Sequence, residues 1–280
     1  GSYEITCGLL SNPRGTLTVT PSAQSEAERA RPPITAFIGP LSEYKVYLAA
    51  QSGLLVKAAG MLEEAIRAGD VEAAKAAWLA ARLPYKRIEA VTGRIADLEN
   101  AIDPLPDYLE KREQDPAFTG FHRLEYGLWG EGTAGGLAPV AQRLSGDVAA
   151  LKDRLKALRL QPEELAGTAL RQARRLGEGQ VRDGENAYAA SDLAEIVASL
   201  EGMEKSAMLL KPLVAEAAPD VAAGLEKGFS AARAALDAHR AGETYPPYDR
   251  LDAQAREALA ASFRALAEAI SALNPAIGLE

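Results

Sequence analysis

Val140-Ala141-Gln142-Arg143-Leu144-Ser145-Gly146-Asp147-Val148-Ala149-Ala150-Leu151-Lys152-Asp153-Arg154-Leu155-Lys156-Ala157-Leu158 is the stretch that decides the fold class of this chain. Its large apolar side chains stand at Val140, Leu144, Val148, Leu151, Leu155 and Leu158, with spacings of 4, 4, 3, 4 and 3. That pattern is one stripe of a 3.6-residue helix with charged residues on the opposite face. The same period recurs on either side. Leu259, Phe263, Leu266, Ile270 and Leu273 give a 4-3-4-3 stripe near the C-terminus. From Pro40 onward Tyr44, Tyr47, Leu48, Leu54, Leu55, Ala58, Leu62 and Ile66 follow it too. Ala68-Gly69-Asp70 breaks that first helix, and Asp70 is placed to cap a second one running to about Glu89. A shorter piece over Arg94–Ile102 stops at Asp103-Pro104. Further helices are predicted within 116–130 and over 161–180, 191–216, 219–240 and 251–273, with a loop at Gly130–Gly136. Long helices and short connections predict an all-α fold of two fused antiparallel four-helix-type bundles.

The N-terminus reads differently. Tyr3–Cys7 and Thr16–Thr20 are rich in β-branched residues and flank the turn formers Ser11–Gly15, which suits a small β-hairpin or a strand remnant. Residues 21–36 are polar and proline-bearing, a linker with little to bury. The single cysteine, Cys7, excludes an internal disulfide framework and reads as a small buried residue. A net charge of −8 argues against nucleic acid as the main partner and suits cations better. The sequence has no apolar run long enough to span a membrane. No signal peptide is visible, and a leader removed ahead of Gly1 is the expectation.

Chemistry concentrates in Gly120-Phe121-His122-Arg123-Leu124-Glu125, which holds one of only two histidines. Residues i and i+3 of a helix share a face about 4.5 Å apart along the axis, so an imidazole and a carboxylate there can converge on one metal ion. The bland reading makes His122 a core histidine bonded to a backbone group and Glu125 a surface charge paired with Arg123. His239 sits at a predicted helix end, where a capping or helix-dipole role is the better fit. Arg171, Arg174 and Arg175 cluster on one helical stretch and form either an anion-binding face or a solvated one. No Gly-rich phosphate loop, nucleophile elbow or HExxH pair is present.

These residues carry a resemblance. Gly120–Glu125 resembles the HxxE signature of the imelysin-like family in its EfeO/EfeM branch. Pro84-Tyr85-Lys86-Arg87-Ile88-Glu89, Ile102-Asp103, Asp115-Pro116-Ala117-Phe118-Thr119 and Gly184-Glu185-Asn186-Ala187-Tyr188 with Asp192-Leu193 resemble further segments of that branch, in the same order. Tyr3–Pro13 is similar to the stretch that closes an N-terminal cupredoxin-like domain in longer relatives. The resemblance therefore implies two parts: residues 1–36 as the tail of such a domain plus linker, and residues 37–280 as a helical imelysin-like domain.

The resemblance implies a periplasmic, monomeric, solute-binding type of protein that takes part in iron uptake beside a membrane permease. Some relatives are linked to acidic polysaccharides such as alginate, for which Arg171, Arg174 and Arg175, or a bridging cation, are the expected contacts. Tyr245, Tyr248 and Trp129 are the aromatic residues available to a sugar. The family also carries a metallopeptidase label, but HxxE alone supplies no clear general base, so no catalysis is expected.

The implied metal ligands are His122, Glu125, Glu89, Asp103 and Glu185, a set suited to iron, manganese, zinc or calcium. On one continuous helix Glu89 and Asp103 would stand about 21 Å apart. Either the helix breaks near Thr92-Gly93 or the two serve separate sites. At Lys86 the branch usually has glutamate, so an ammonium replaces a carboxylate one turn before Glu89.

Overall fold

Helix boundaries follow the local chemistry. The computed structural model describes residues 2–5, 14–20 and 31–279. Helix α1 (Ile38–Ala68) ends on Gly69 in the left-handed conformation, and Asp70 then caps α2 (Val71–Thr92) by accepting from the Ala73 amide at 3.0 Å. At Gly93–Ile95 the chain tightens into a 3-10 turn before α3 (Ala96–Ile102), so the break expected between Glu89 and Asp103 is present. Helix α4 (Gly120–Glu125) runs directly into a π-helical segment, Tyr126–Gly130. Next come α5 (Ala138–Ala157) and α6 (Pro162–Arg175), the latter opened by a Gln161/Glu164 capping box. A second π-helical segment, Leu176–Gln180, and a single turn, Val181–Asp183, follow. Five more helices complete the chain: α7 (Asp192–Met208), α8 (Lys211–Ala217), α9 (Pro219–Asp237), α10 (Ala253–Ser271) and α11 (Leu273–Ala276).

The all-α fold expected from periodicity is the fold observed. One expected helix is two: 191–216 divides at Leu209–Leu210. The reason is Pro212, which has no amide hydrogen to give to the Met208 carbonyl and so starts a new helix rather than continuing the old one. Leu144, Val148, Leu151 and Leu155 are buried as the α5 stripe requires, and so are Leu259, Phe263, Leu266, Ile270 and Leu273. In α1 the residue Leu54 is 53% exposed, because its neighbour Leu55 holds the inward position about 100° away.

The helices pack in two groups. Helices α1, α2 and α5 lie together, with α3 and α4 against α5; α6, α7, α9 and α10 form the other group. Helix α2 joins them through contacts with α6 and α7. The α2–α7 contact is backbone to backbone: a β-carbon on Gly202 would lie 2.1 Å from the Arg87 carbonyl oxygen. Elsewhere on α2 Trp78 is fully buried, donates from Nε1 to the Phe121 carbonyl at 2.9 Å, and meets Phe121 and Trp129 edge-on.

Strands β1 (Ser2–Ile5) and β2 (Gly15–Thr18) pair antiparallel, and every residue in them is exposed. Cys7, the expected turn at Ser11–Pro13, and most of the expected linker lie outside the described residues. No helix among the described residues is long and apolar enough to cross a membrane.

Candidate metal centre

Helix α2 presents Arg82, Lys86 and Glu89 at spacings of four and three, hence on one face, and all three are buried. Asp103 is the residue on which α3 stops. Gly120 lets α4 begin hard against that stop: its φ is +69°, and a β-carbon there would lie 2.2 Å from the Ile102 carbonyl oxygen. The close approach puts His122 Nε2 at 3.2 Å from Asp103 Oδ1 and 3.8 Å from Glu185 Oε1. That nitrogen is buried and makes no well-directed hydrogen bond to a protein group. One ligand atom each from Asp103, His122 and Glu185 lies within 4.8 Å of the others.

Glu125 lies on the Nδ1 side of the imidazole, away from Asp103 and Glu185. Its Oε2 sits 2.8 Å from His122 Nδ1, and its Oε1 accepts from the backbone amides of Tyr188 and Ala189, both at 2.9 Å. It thus fixes the imidazole ring and turns Nε2 toward Asp103 and Glu185, as carboxylates behind metal-ligating histidines commonly do.

Lys86 lies inside the cluster. Its Nζ donates to Glu89 Oε1 and to both oxygens of Glu185 at 2.8 Å, and stands 3.4 Å from Asp103 Oδ2. Glu89 and Asp103 therefore do reach one centre, with the ammonium between them. Arg82 pairs with Asp103 and, at 2.7 Å, with Glu195, while its guanidinium stacks over the Trp78, Tyr85 and Phe121 rings. Arg175 reaches in from α6 to Glu89 at 3.3 Å and Glu185 at 3.8 Å. Gln172 donates to Glu89 Oε2 at 2.8 Å, and Gln180 donates to Glu185.

The charges hold one another. Burial alone would raise Asp103, but Arg82, Lys86 and His122 outweigh it and keep the carboxyl well below its ordinary value. Glu185 is depressed against the same burial penalty, chiefly by Lys86. Burial disfavours the charged forms of Lys86 and His122, yet the surrounding carboxylates raise both above their ordinary values. Glu195 goes the other way: burial pushes it up to about 7 despite Arg82 and Lys86.

Of the expected ligands, Asp103, His122 and Glu185 converge. Glu89 adjoins them across Lys86, and Glu125 stands behind the imidazole. Arg82, Gln172, Gln180 and Glu195 were not foreseen. Only Arg82 left a signal, lying four residues before Lys86 on the same helical face. In the arginine cluster, Arg171 and Arg174 are exposed, whereas Arg175 is engaged by Glu89 and Glu185. Tyr248 is buried with its hydroxyl donating to the Val181 carbonyl, so its ring offers no sugar platform. Trp129 and Tyr245 do line a surface cavity of about 460 Å³. His239 lies just past the C-cap of α9, Ala238.

One nitrogen and two carboxylates from separate elements form a donor set for a hard or borderline cation. The approach suits a cation as well. A cavity of about 440 Å³ reaches Glu185 between Asp107, Glu178 and Asp183, and Arg175 is the one arginine or lysine on its wall.

Comparison with known proteins agrees. The imelysin family model, which carries a peptidase label, matches residues 40–273. The chain is 34% identical over its full 280 residues to the iron uptake system component EfeO of Yersinia pestis, covering 74% of that protein. The same identity and coverage hold for the iron uptake system component EfeO of Escherichia coli strain K12. With the family model spanning most of the helical part and the identity running end to end, this chain belongs to the imelysin family, in its EfeO-type branch.

Proposed function

We propose that this chain is a non-catalytic, periplasmic component of an iron-uptake system, and that it takes a metal ion as cargo at Asp103, His122 and Glu185. The observation that carries the reading is the convergence of those three buried ligand atoms on one point, with the imidazole nitrogen lacking a protein hydrogen-bond partner. The acidic cavity leading to Glu185 supports a route for a cation. The names of the relatives supply the iron. The partners implied are the other components of the uptake system, a membrane permease among them. Against a peptidase role, both Glu125 oxygens are already engaged, so that carboxylate is not free to activate water.

Calorimetric titration with Mn²⁺, Zn²⁺ and, under anaerobic conditions, Fe²⁺ tests this assignment. Wild type should bind one ion, and His122→Ala should weaken binding by at least about tenfold. Equal affinity in the two proteins would remove the site from this cluster.

A further inference from the structure

We infer that Lys86 is a tethered cation competing with the cargo for the same carboxylates, so that a metal ion loads only by displacing its ammonium. The inference rests on the metal-binding reading above and adds a control that the ligand set alone does not contain.

The geometry makes the two cations exclusive. Lys86 Nζ contacts Glu185 through both oxygens at 2.8 Å and lies 3.4 Å from Asp103. Two of the three converging ligands are therefore shared with the ammonium. A first-row metal ion binds carboxylate oxygen at about 2.0–2.2 Å. An ion drawing on both Glu185 and Asp103 would thus sit within a few ångströms of Nζ, where two positive charges repel strongly in a buried setting.

Charge balance points the same way. The three carboxylates Glu89, Asp103 and Glu185 face three fixed cations, Arg82, Lys86 and Arg175. With Lys86 in place the charges of these six groups cancel. The ammonium thus offsets carboxylate charge that an arriving cation would otherwise meet. Removing the ammonium leaves Glu89 without its closest cation and frees both Glu185 oxygens from it. Lys86 differs from Arg82 in the anchoring that would oppose displacement. Arg82 is clamped by Asp103 and Glu195 and stacked on three rings. The Lys86 ammonium rides on a flexible four-carbon stem, with Tyr85 as its aromatic neighbour at 5.9 Å.

The test compares wild type with Lys86→Met and, as a variant that keeps a donor for Glu185, Lys86→Gln. Mn²⁺ and Zn²⁺ are the probes, with calorimetry and thermal melting as readouts. Both variants should bind at least about tenfold more tightly than wild type. Their melting temperatures should drop without metal and rise on adding it by more than wild type's does. A purely structural Lys86 would give variants that melt early and are not rescued by metal. Lys86→Met and Lys86→Gln binding no tighter than wild type overturns the inference. His122→Ala separates the two claims in that event. If it still weakens binding, the site stands and only the competition falls; if it leaves binding unchanged, both fall.

Discussion

A histidine held among carboxylates makes its contribution on the acid side of its titration. His122 is raised above its ordinary value of 6.5 by Asp103, Glu125 and Glu185, against the burial that would lower it. A group with a raised folded-state value stabilises in full below its unfolded value and loses that contribution as pH climbs toward the folded one. The melting-temperature gap between wild type and His122→Gln should therefore be widest below pH 6.5 and shrink as pH rises. A gap that stays level or widens would contradict the ion pairing of this imidazole. Arg82 makes a second demand at this scale. It is fully buried between Asp103 and Glu195, and removing one partner of such a pair strands the others. Arg82→Leu should cost about 3–5 kcal/mol in denaturant unfolding. Single residues were also where the sequence was least legible. HxxE marked His122 and Glu125 as two ligands, yet Glu125 binds the imidazole from behind. Helical spacing says that two side chains share a face; it does not say which of two imidazole nitrogens meets the carboxylate.

At the scale of elements, periodicity carried most of the information. The α5 and α10 stripes are legible because each helix buries one face in a two-sided environment, which the apolar spacing records. Asp70 and Gly69 announced the α1–α2 junction through capping chemistry that needs only local residues. What periodicity could not give is how closely elements approach. Gly120 and Gly202 set two such approaches, α4 on the end of α3 and α7 on α2, and nothing in the spacing distinguishes them from the chain's other glycines. Gly202→Ala should destabilise by about 1–3 kcal/mol through forced backbone separation, read by thermal or urea unfolding. Gly120→Ala should cost at least as much, since it adds a left-handed φ to the clash. It should also weaken Mn²⁺ binding in the protein that remains folded, because it pushes His122 away from Asp103. Unchanged stability in either variant would contradict these close contacts.

Across the whole molecule, the site lies where the two helix groups meet, and its ion pairs cross that boundary. Lys86 and Glu89 of α2 engage Glu185 beyond α6, Gln172 and Arg175 of α6, and Arg82 engages Glu195 of α7. This arrangement was not legible, because residues separated by about a hundred positions meet only once the helices are packed. Its consequence for folding is specific. The carboxylates are neutralised by the chain's own cations, so the fold needs no metal to offset them, unlike small domains whose metal supplies the folding energy. Wild type stripped by prolonged treatment with a chelator should keep its helical content and unfold in a cooperative transition. Loss of either would mean that a bound ion is part of the folded state.

The placement of Trp78 has a practical use. The chain holds two tryptophans, and Trp78 and Trp129 touch each other. Trp78 also lies against Phe121, next to His122, and under the Arg82 guanidinium at 5.3 Å. Of the two indoles, Trp78 therefore emits from beside the charged cluster, while Trp129 emits from the cavity it shares with Tyr245. Any rearrangement of Arg82 or of the His122 segment alters the electric field at the Trp78 indole, which gives the molecule a built-in optical gauge requiring no label.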